Sequence, residues 1–337
     1  MISMYGVHEA KLQPLGADMT RIGEAVWIDV LRPTPEEEAE LERILRIEVP
    51  TREEMQEIEL SSRLYMEGDA AFMTANILSH TDADDPVVSP ITFILTGSRL
   101  ISIRYEEPRT ITLLVARAQR LAVGCTGADA ILASLLEAVI ERLADILERA
   151  AHDIDSLSRN IFGRSAAAAP AETRGSAGRK SSRPRGPDFQ KVLSAIGLKG
   201  DLTSHVRDSL VTFQRLFTYL SHVMAQRKPS DEVRDRISTL SRDAQALSDH
   251  ASFLSQKITF LLDATLGMIN IEQNAIIKIF SVAAVVFLPP TLIASIYGMN
   301  FDHMPELHWM VGYPFALGLM VLSAVLPYLF FKRRGWL

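Results

Sequence analysis

Apolar residues recur in alternating steps of four and three along the last third of the chain. This spacing is a heptad stripe, which predicts a helix that packs along its whole length. After Lys278 no charged residue appears until Asp302, and about 23 uncharged residues are enough to cross a ~30 Å hydrocarbon core. We therefore predict one very long helix, with a stalk over 231–275 and a first membrane span over 276–301. The stripe consists of Val233, Ile237, Leu240, Ala244, Leu247, Ala251, Leu254, Ile258 and Leu261, continued by Thr265 and Met268.

A second apolar run over 309–331 predicts a second membrane span. The basic tail over 332–337 follows it directly, whereas the predicted outer loop over 302–308 carries two acidic residues and no Lys or Arg. Because basic residues mark the cytoplasmic side of a span, this asymmetry predicts a multi-pass protein of the cell (inner) membrane with both termini cytoplasmic. The N-terminus lacks a basic region followed by an apolar run, so we expect no cleavable signal.

The first part of the chain, over 1–128, has the pattern of a mixed α/β domain. Alternating apolar residues predict strands at 25–31, 62–66, 71–78, 91–95 and 100–104, and the last two flank a hairpin turn. Thr34 precedes Pro35 and three glutamates, which is typical of a helix start. A further helix is predicted over 110–122. The expected fold is a mixed sheet flanked by helices.

Residues 129–230 predict cytosolic antiparallel helices. Helical periodicity covers 129–162 and 188–226, and a three-residue link then allows only an antiparallel hairpin into the stalk. Between the two helices, residues 163–187 are rich in Ala, Gly, Ser and Pro, with six basic residues and one acidic residue. Such a composition predicts a disordered basic loop. The loop is either a passive tether or a segment that contacts anionic headgroups or the acidic helix beside it.

The end of the first span carries a family resemblance. Tyr297-Gly298-Met299-Asn300, followed by Phe301 and by Met304-Pro305-Glu306-Leu307, resembles the signature of the CorA-type magnesium and cobalt channels. In that family Gly-Met-Asn lies between two C-terminal membrane helices. The resemblance implies a funnel-shaped cytosolic domain, a long stalk, two membrane helices and a symmetric homopentamer.

Composition and motifs exclude several other functions. The net charge of -6 argues against a nucleic-acid partner, and the single cysteine, Cys125, excludes an internal disulfide framework. The sequence contains no phosphate-binding loop, His-Glu-x-x-His or Gly-x-Ser-x-Gly motif. We therefore expect no enzyme activity and no organic cofactor. The expected partners are the lipid bilayer and divalent cations.

The candidate pore is assigned to one face of the first span. Two spans per chain are too few to enclose a water-filled path, so the pore must lie on a symmetry axis between copies. By resemblance, Gly298, Met299 and Asn300 form the selectivity filter, and Asp302 and Glu306 lie at the outer mouth. The residues predicted to line the pore include no carboxylate. Those that recur at helical spacing are Asn274, Ile277, Ala284, Leu288 and Thr291, and either Phe280 or Ser281 fills the gap.

Acidic residues in the cytosolic part are candidates for regulation by metal. Asp82, Asp84 and Asp85 precede Pro86, where they form either a solvated turn or a weak divalent-ion site. Asp263 interrupts an apolar stretch of the stalk and is either a solvated or paired charge or, by resemblance, part of a cytosolic Mg²⁺ sensor. The resemblance thus makes Mg²⁺ both the substrate and the regulator.

Three functions remain open from the sequence. The first is a homopentameric channel for Mg²⁺, with Co²⁺ and Ni²⁺ as further ions, driven by the membrane potential and closed by cytosolic Mg²⁺. The second is a zinc transporter of the same fold, for which His303 and His308 offer softer ligands. The third is a membrane-anchored coiled-coil scaffold that conducts nothing.

Overall fold

The computed structural model describes residues 1–16, 19–81, 86–121, 125–167, 188–299 and 309–335. The chain divides into two compact units, residues 1–262 and 263–337. The strands are β1 (Ile2–His8), β2 (Lys11–Gly16), β3 (Trp27–Leu31), β4 (Leu64–Glu67), β5 (Ala70–Ser79), β6 (Val87–Thr96) and β7 (Arg99–Arg104). The helices are α1 (Pro35–Leu45), α2 (Arg52–Gln56), α3 (Leu60–Arg63), α4 (Arg109–Arg120), α5 (Ala128–Ala167), α6 (Phe189–Arg227), α7 (Asp231–Tyr297) and α8 (Gly312–Arg333). A 3-10 turn covers Met19–Glu24.

The seven strands form one mixed sheet in the order β2-β1-β3-β7-β6-β5-β4. Only β3 and β7 pair in parallel among the described strands; the other neighbours are antiparallel. The predicted hairpin joins β6 to β7, and Gly97 in its turn has a positive φ of 52°, which glycine adopts without strain. The predicted mixed sheet is confirmed.

Helices cover the sheet. Met4, Ile28, Ile101, Ile94 and Phe72 face one another across five adjacent strands. They form one core with Leu41 of α1 and Met55 of α2. The long helices α5 and α6 pack on β5, β6 and β7. Most residues of β5 and β6 are buried, because a strand covered on both sides has no solvated face.

The two edges of the sheet are short or interrupted. The edge strand β2 contains Pro14, which has no N–H to donate, and its pairing with β1 shifts register between Met4 and Tyr5. The opposite edge strand, β4, has four residues and ends at Glu67 beside the Gly68 turn. Neither edge offers a long, regular row of backbone donors and acceptors.

A buried ion pair joins the two parallel strands. The Arg104 guanidinium on β7 donates to both carboxylate oxygens of Asp29 on β3, at 3.1 Å to Oδ1 and 2.8 Å to Oδ2. The Ser102 hydroxyl donates to Asp29 Oδ1 at 2.7 Å and accepts from the Trp27 indole N–H at 2.9 Å. These polar groups are buried, but each has partners, as a stable interior requires.

Capping chemistry fixes the start of two short helices. Thr34 accepts from the backbone N–H of Glu37, whose side chain accepts in return from the Thr34 N–H, and Pro35 occupies the first helical position. Thr51 and Glu54 repeat this capping box at α2. The helix start predicted at Thr34 is confirmed.

The first unit contains a three-helix layer of α5, α6 and the first half of α7. Gln214 of α6 donates to the carbonyl of Ala244 at 3.1 Å, and Gly200 approaches Ile258, which is the register of an antiparallel hairpin. Helix α5 pairs with α7 in parallel: Arg236 contacts Glu137 at 2.5 Å, Lys257 binds Asp155, and the rings of Phe162 and Phe260 stack. The heptad stripe is buried at Val233, Ile237, Leu240, Ala244, Ala251, Leu254, Ile258, Leu261 and Thr265, so the predicted packing seam is confirmed; Leu247 and Met268 are half-buried.

The second unit holds the last part of α7 and α8. Both helices are long and apolar enough to cross a membrane, and little of their apolar surface is buried within the chain. Helix α7 ends at Tyr297 and α8 begins at Gly312, three residues after the predicted start of the second span. Residues 300–308, which include the predicted outer loop, lie outside the described residues.

Several boundaries differ from the sequence predictions. Strands β1 and β2 and helices α2 and α3 were not among the predicted elements. Helix α5 continues to Ala167, so the first residues of the predicted loop 163–187 are helical. The rest of that loop, residues 168–187, lies outside the described residues.

Candidate functional site

The membrane part of α7 has one side with reduced exposure. Val282 is buried, and Ala283, Val286, Pro289, Pro290, Ile293 and Tyr297 are half-buried. On α8, Gly312 and Ala316 are buried, and half-buried residues continue the same stripe to Phe331. Because α7 and α8 are the helices described in this unit, these stripes mark the sides on which they face each other. Gly312 and Ala316 are small residues, which allow the two helices to approach closely.

The predicted pore-lining residues lie on the other side of α7. Each of Asn274, Ile277, Phe280, Ser281, Ala284, Leu288 and Thr291 is exposed in the single chain. At about 100° per residue, this set and the stripe facing α8 are centred on opposite sides of the helix. Leu288 is 66% exposed and Phe280 is 72% exposed, which is far from the burial usual for such side chains in water. This face needs a further partner, either lipid or other copies of the chain.

Gly298 ends the first span at a crowded turn. Its N–H donates to the Ala294 carbonyl at 3.0 Å, and the Met299 N–H donates to the Ile296 carbonyl at 3.3 Å. A Cβ atom at position 298 would lie 3.1 Å from the Ala294 oxygen, which is tighter than ordinary contact. Glycine is therefore the residue that fits here without a shift of the last turn. Asn300 and the outer-mouth residues Asp302 and Glu306 lie outside the described residues.

Two consecutive prolines interrupt the hydrogen bonding of α7 within the span. Pro289 and Pro290 lie inside the helix and have no N–H to offer the carbonyls of Val285 and Val286. The Thr291 hydroxyl donates to the Phe287 carbonyl at 2.8 Å. The helix nevertheless continues to Tyr297, so the prolines do not end it.

The predicted regulatory residues do not come together in the described part of one chain. Asp263 is exposed on α7, and Asp82, Asp84 and Asp85 lie outside the described residues. Within the described ranges, no group of three or more His, Cys, Asp or Glu side chains has the geometry to hold a metal ion.

Ion pairs between α5 and α7 were not predicted from the sequence. The hydrogen bond from Lys257 and its positive charge lower the pKa of the Asp155 carboxyl. Arg236 reaches Ser134 at 3.1 Å as well as Glu137. The only signal in the sequence is that Arg236 and Lys257 immediately precede the seam residues Ile237 and Ile258, which places them at its border.

Comparison with known proteins gives consistent matches over the whole chain. The family model described as "CorA-like Mg2+ transporter protein" matches residues 23–174 and 191–333. The magnesium transport protein CorA of Haemophilus influenzae is 34% identical over 339 residues, and that of Pasteurella multocida is 36% identical over 340 residues. Both alignments cover 100% of this chain and 100% of the relative.

A solved structure shares the fold. The complete CorA magnesium transporter from Methanocaldococcus jannaschii aligns with a TM-score of 0.73 and 19% identity, over 100% of this chain and 99% of that one. The mixed sheet, the long helix and the two C-terminal apolar helices therefore recur together in a chain with few identical residues.

Proposed function

This chain belongs to the family of CorA-like Mg²⁺ transporter proteins, and on that premise we propose that it forms a membrane channel through which Mg²⁺ enters the cell. The observation that carries the proposal is the exposed face of α7 that holds the predicted pore-lining residues. It turns away from α8, mixes apolar residues with Asn274, Ser281 and Thr291, and has no partner among the described residues.

A homo-oligomer supplies that partner. Several copies of α7 around an axis would cover the exposed face and enclose a path, which two spans of one chain cannot do. Five copies is the number implied by the family resemblance, and we adopt it in the proposal. The exposed apolar residues on the remaining surface of α7 and α8 would then contact lipid.

Selection rests on Asn300. Mg²⁺ gives up its octahedral water shell reluctantly, so a ring of neutral amide oxygens can hold the hydrated ion through its waters. Binding of this kind is weak enough to let the ion leave. Gly298 and Met299 complete the filter, and Asp302 and Glu306 raise the local cation concentration at the mouth.

The inner part of the pore provides mild polar contacts and apolar constrictions. Asn274 and Thr291 repeat the neutral contact, whereas Ile277 and Leu288 narrow the path and can close it by dewetting. Inward flow needs no nucleotide, because a divalent ion gains roughly 4.6 kcal/mol per 100 mV of membrane potential. The lack of carboxylates in the lining avoids trapping a doubly charged ion.

The proposal extends to ion range, regulation and topology. Co²⁺ and Ni²⁺ are further permeant ions, both termini are cytoplasmic, and cytosolic Mg²⁺ closes the pore. Asp263 is the stalk residue proposed to take part in closure, together with Asp82, Asp84 and Asp85. By the family resemblance, these carboxylates would act between protomers.

Ion uptake into liposomes tests the function. Purified protein should pass Mg²⁺, Asn300→Ala should abolish uptake while assembly is retained, and Ser323→Ala on α8 serves as a matched polar-to-alanine control. A series over Mg²⁺, Co²⁺, Ni²⁺ and Zn²⁺ separates the alternatives: a preference for Zn²⁺ supports a zinc transporter, and no flux supports a scaffold. Normal uptake by Asn300→Ala contradicts the filter assignment.

Cysteine substitution tests the pore face. Cys125 is buried, and burial raises the pKa of its thiol, so Cys125→Ser gives a clean background. In that background a cationic thiol reagent should block uptake by Leu288→Cys and leave uptake by Val286→Cys unchanged, since Val286 is half-buried on the side that faces α8. Equal block of both variants contradicts the assigned face.

A further inference from the structure

One face of α6 is polar over two turns and lines a cavity. Its residues are spaced by three, one and three positions, which places them on the same side of the helix: Arg215, Thr218, Tyr219 and His222. The opposite side of these turns carries Phe213, Leu216, Phe217 and Leu220, all fully buried in the core. Together with Ser61 and Leu64 near the start of β4, the polar face lines an open cavity of ≈ 370 Å³.

The guanidinium at this cavity is not paired with a carboxylate in the described part of the chain. Arg215 has no hydrogen bond or ion pair with any residue of the described ranges. The nearby Arg63 donates to two neutral acceptors, the Glu57 carbonyl and, at 3.4 Å, Asn76 Oδ1. Burial and then the Arg215 charge lower the pKa of the Arg63 guanidinium. The two guanidinium groups therefore repel each other, and the residues lining the cavity include no carboxylate to offset them.

Hydrogen-bonding groups at the cavity also lack partners. The Tyr219 hydroxyl is buried and makes no hydrogen bond within the described structure. An unpaired buried hydroxyl is unfavourable, so a bound acceptor at this position would stabilise the folded protein. The Thr218 hydroxyl donates to the Gln214 carbonyl at 2.9 Å. The Ser61 hydroxyl and the His222 ring are further donors among the residues that line the cavity.

We propose that this cavity binds the phosphate group of a small soluble anion. Phosphate oxygens accept hydrogen bonds from guanidinium, hydroxyl and imidazole groups. The contact with arginine is the strongest of these because both groups are charged. The adjacent surface limits the size of the ligand. It shares Ser61 with the cavity but is lined by Glu48, Glu54, Glu57 and Glu67, which would repel an extended polyanion or an anionic membrane.

Binding to the full-length protein in detergent tests the proposal, with inorganic pyrophosphate and inorganic phosphate as probes in titration calorimetry. Arg215→Gln should weaken binding roughly tenfold to a hundredfold, the effect of losing one charge-assisted hydrogen bond. Tyr219→Phe should weaken it by a smaller factor. Arg207→Gln, two turns earlier on α6 and outside the cavity, should bind as the wild type does.

Three results would overturn phosphate binding at this cavity: no binding of either probe to the wild type at millimolar concentration, equal binding by wild type and Arg215→Gln, or equal weakening by Arg207→Gln. Titration with anionic lipid in mixed detergent micelles distinguishes a headgroup as the source of the phosphate. If Arg215→Gln loses lipid binding but keeps pyrophosphate binding, the soluble ligand is wrong. Ion uptake is not part of this test, so its outcome is independent of the proposed channel.

Discussion

The buried ion pair between β3 and β7 allows a quantitative prediction. Replacing Asp29 with alanine removes both carboxylate contacts of Arg104 and leaves its guanidinium in a site where the side chain is 7% exposed. The Ser102 hydroxyl also loses its acceptor. Breaking one side of a buried pair costs about 3–5 kcal/mol, because the remaining charge is neither hydrated nor paired.

That loss is large compared with the stability of a typical domain. For a domain of this size each kcal/mol shifts the midpoint of thermal unfolding by about 2–4 °C, so Asp29→Ala should lower the midpoint by on the order of 10 °C. Tryptophan fluorescence of the full-length protein measures the shift, since Trp27 is fully buried and bonded to Ser102 in the same network. Asp69→Ala, at an exposed position in the turn before β5, is the matched control.

A double substitution separates charge from packing. Asp29→Leu combined with Arg104→Met removes both charges and should recover much of the loss, because apolar replacements of a buried pair are often neutral or stabilising. The reasoning is refuted if Asp29→Ala melts within about 2 °C of the wild type. It is also refuted if the double variant melts no higher than the single one.

Two further predictions concern the long helices. Lys257 lowers the pKa of Asp155 in the folded state, so the ion pair stabilises the protein above the ordinary carboxyl pKa, and this stabilisation is lost as the pH falls through the folded-state pKa. Asp155→Asn should therefore flatten the acid side of a plot of unfolding midpoint against pH. An unchanged acid slope contradicts the assignment. Gly298→Ala places a Cβ 3.1 Å from the Ala294 oxygen and should reduce the proposed Mg²⁺ uptake in liposomes, whereas Gly318→Ala, with open space at its Cβ, should not. Equal uptake by the two variants counts against a crowded turn at the proposed filter.

The sequence predicts the elements whose signal is local and long. The heptad stripe identified the seam of α7 residue by residue because one helical period governs both the sequence and the buried side. Strands β1 and β2 were missed because Gly6 and Pro14 are unfavourable in strands, although the two strands form a local hairpin that pairs His8 with Lys11. Helices α2 and α3, of five and four residues, are too short to show a period.

The same distinction applies to the candidate sites. Helical spacing is enough to group Ile277, Ala284 and Leu288 on one face of α7, but the proposed partner of that face is another copy of the chain, and one sequence's spacing does not identify it. The cavity beside Arg215 was missed for a related reason. Its helical half, around Arg215, is a visible polar face, but Ser61 lies about 150 positions earlier in the chain, and only the packing of α6 brings the two parts together.

The interrupted edges of the sheet have a consequence for self-association. In the proposed oligomer, copies of the chain lie at high local concentration, where an open strand edge would recruit the same edge of a neighbour and grow into an aggregate. Pro14 on one side and the four-residue strand ending at Glu67 on the other make such growth unfavourable. Contacts between copies in the proposed oligomer are thereby left to helical surfaces, which suits a closed ring better than an open-ended fibre.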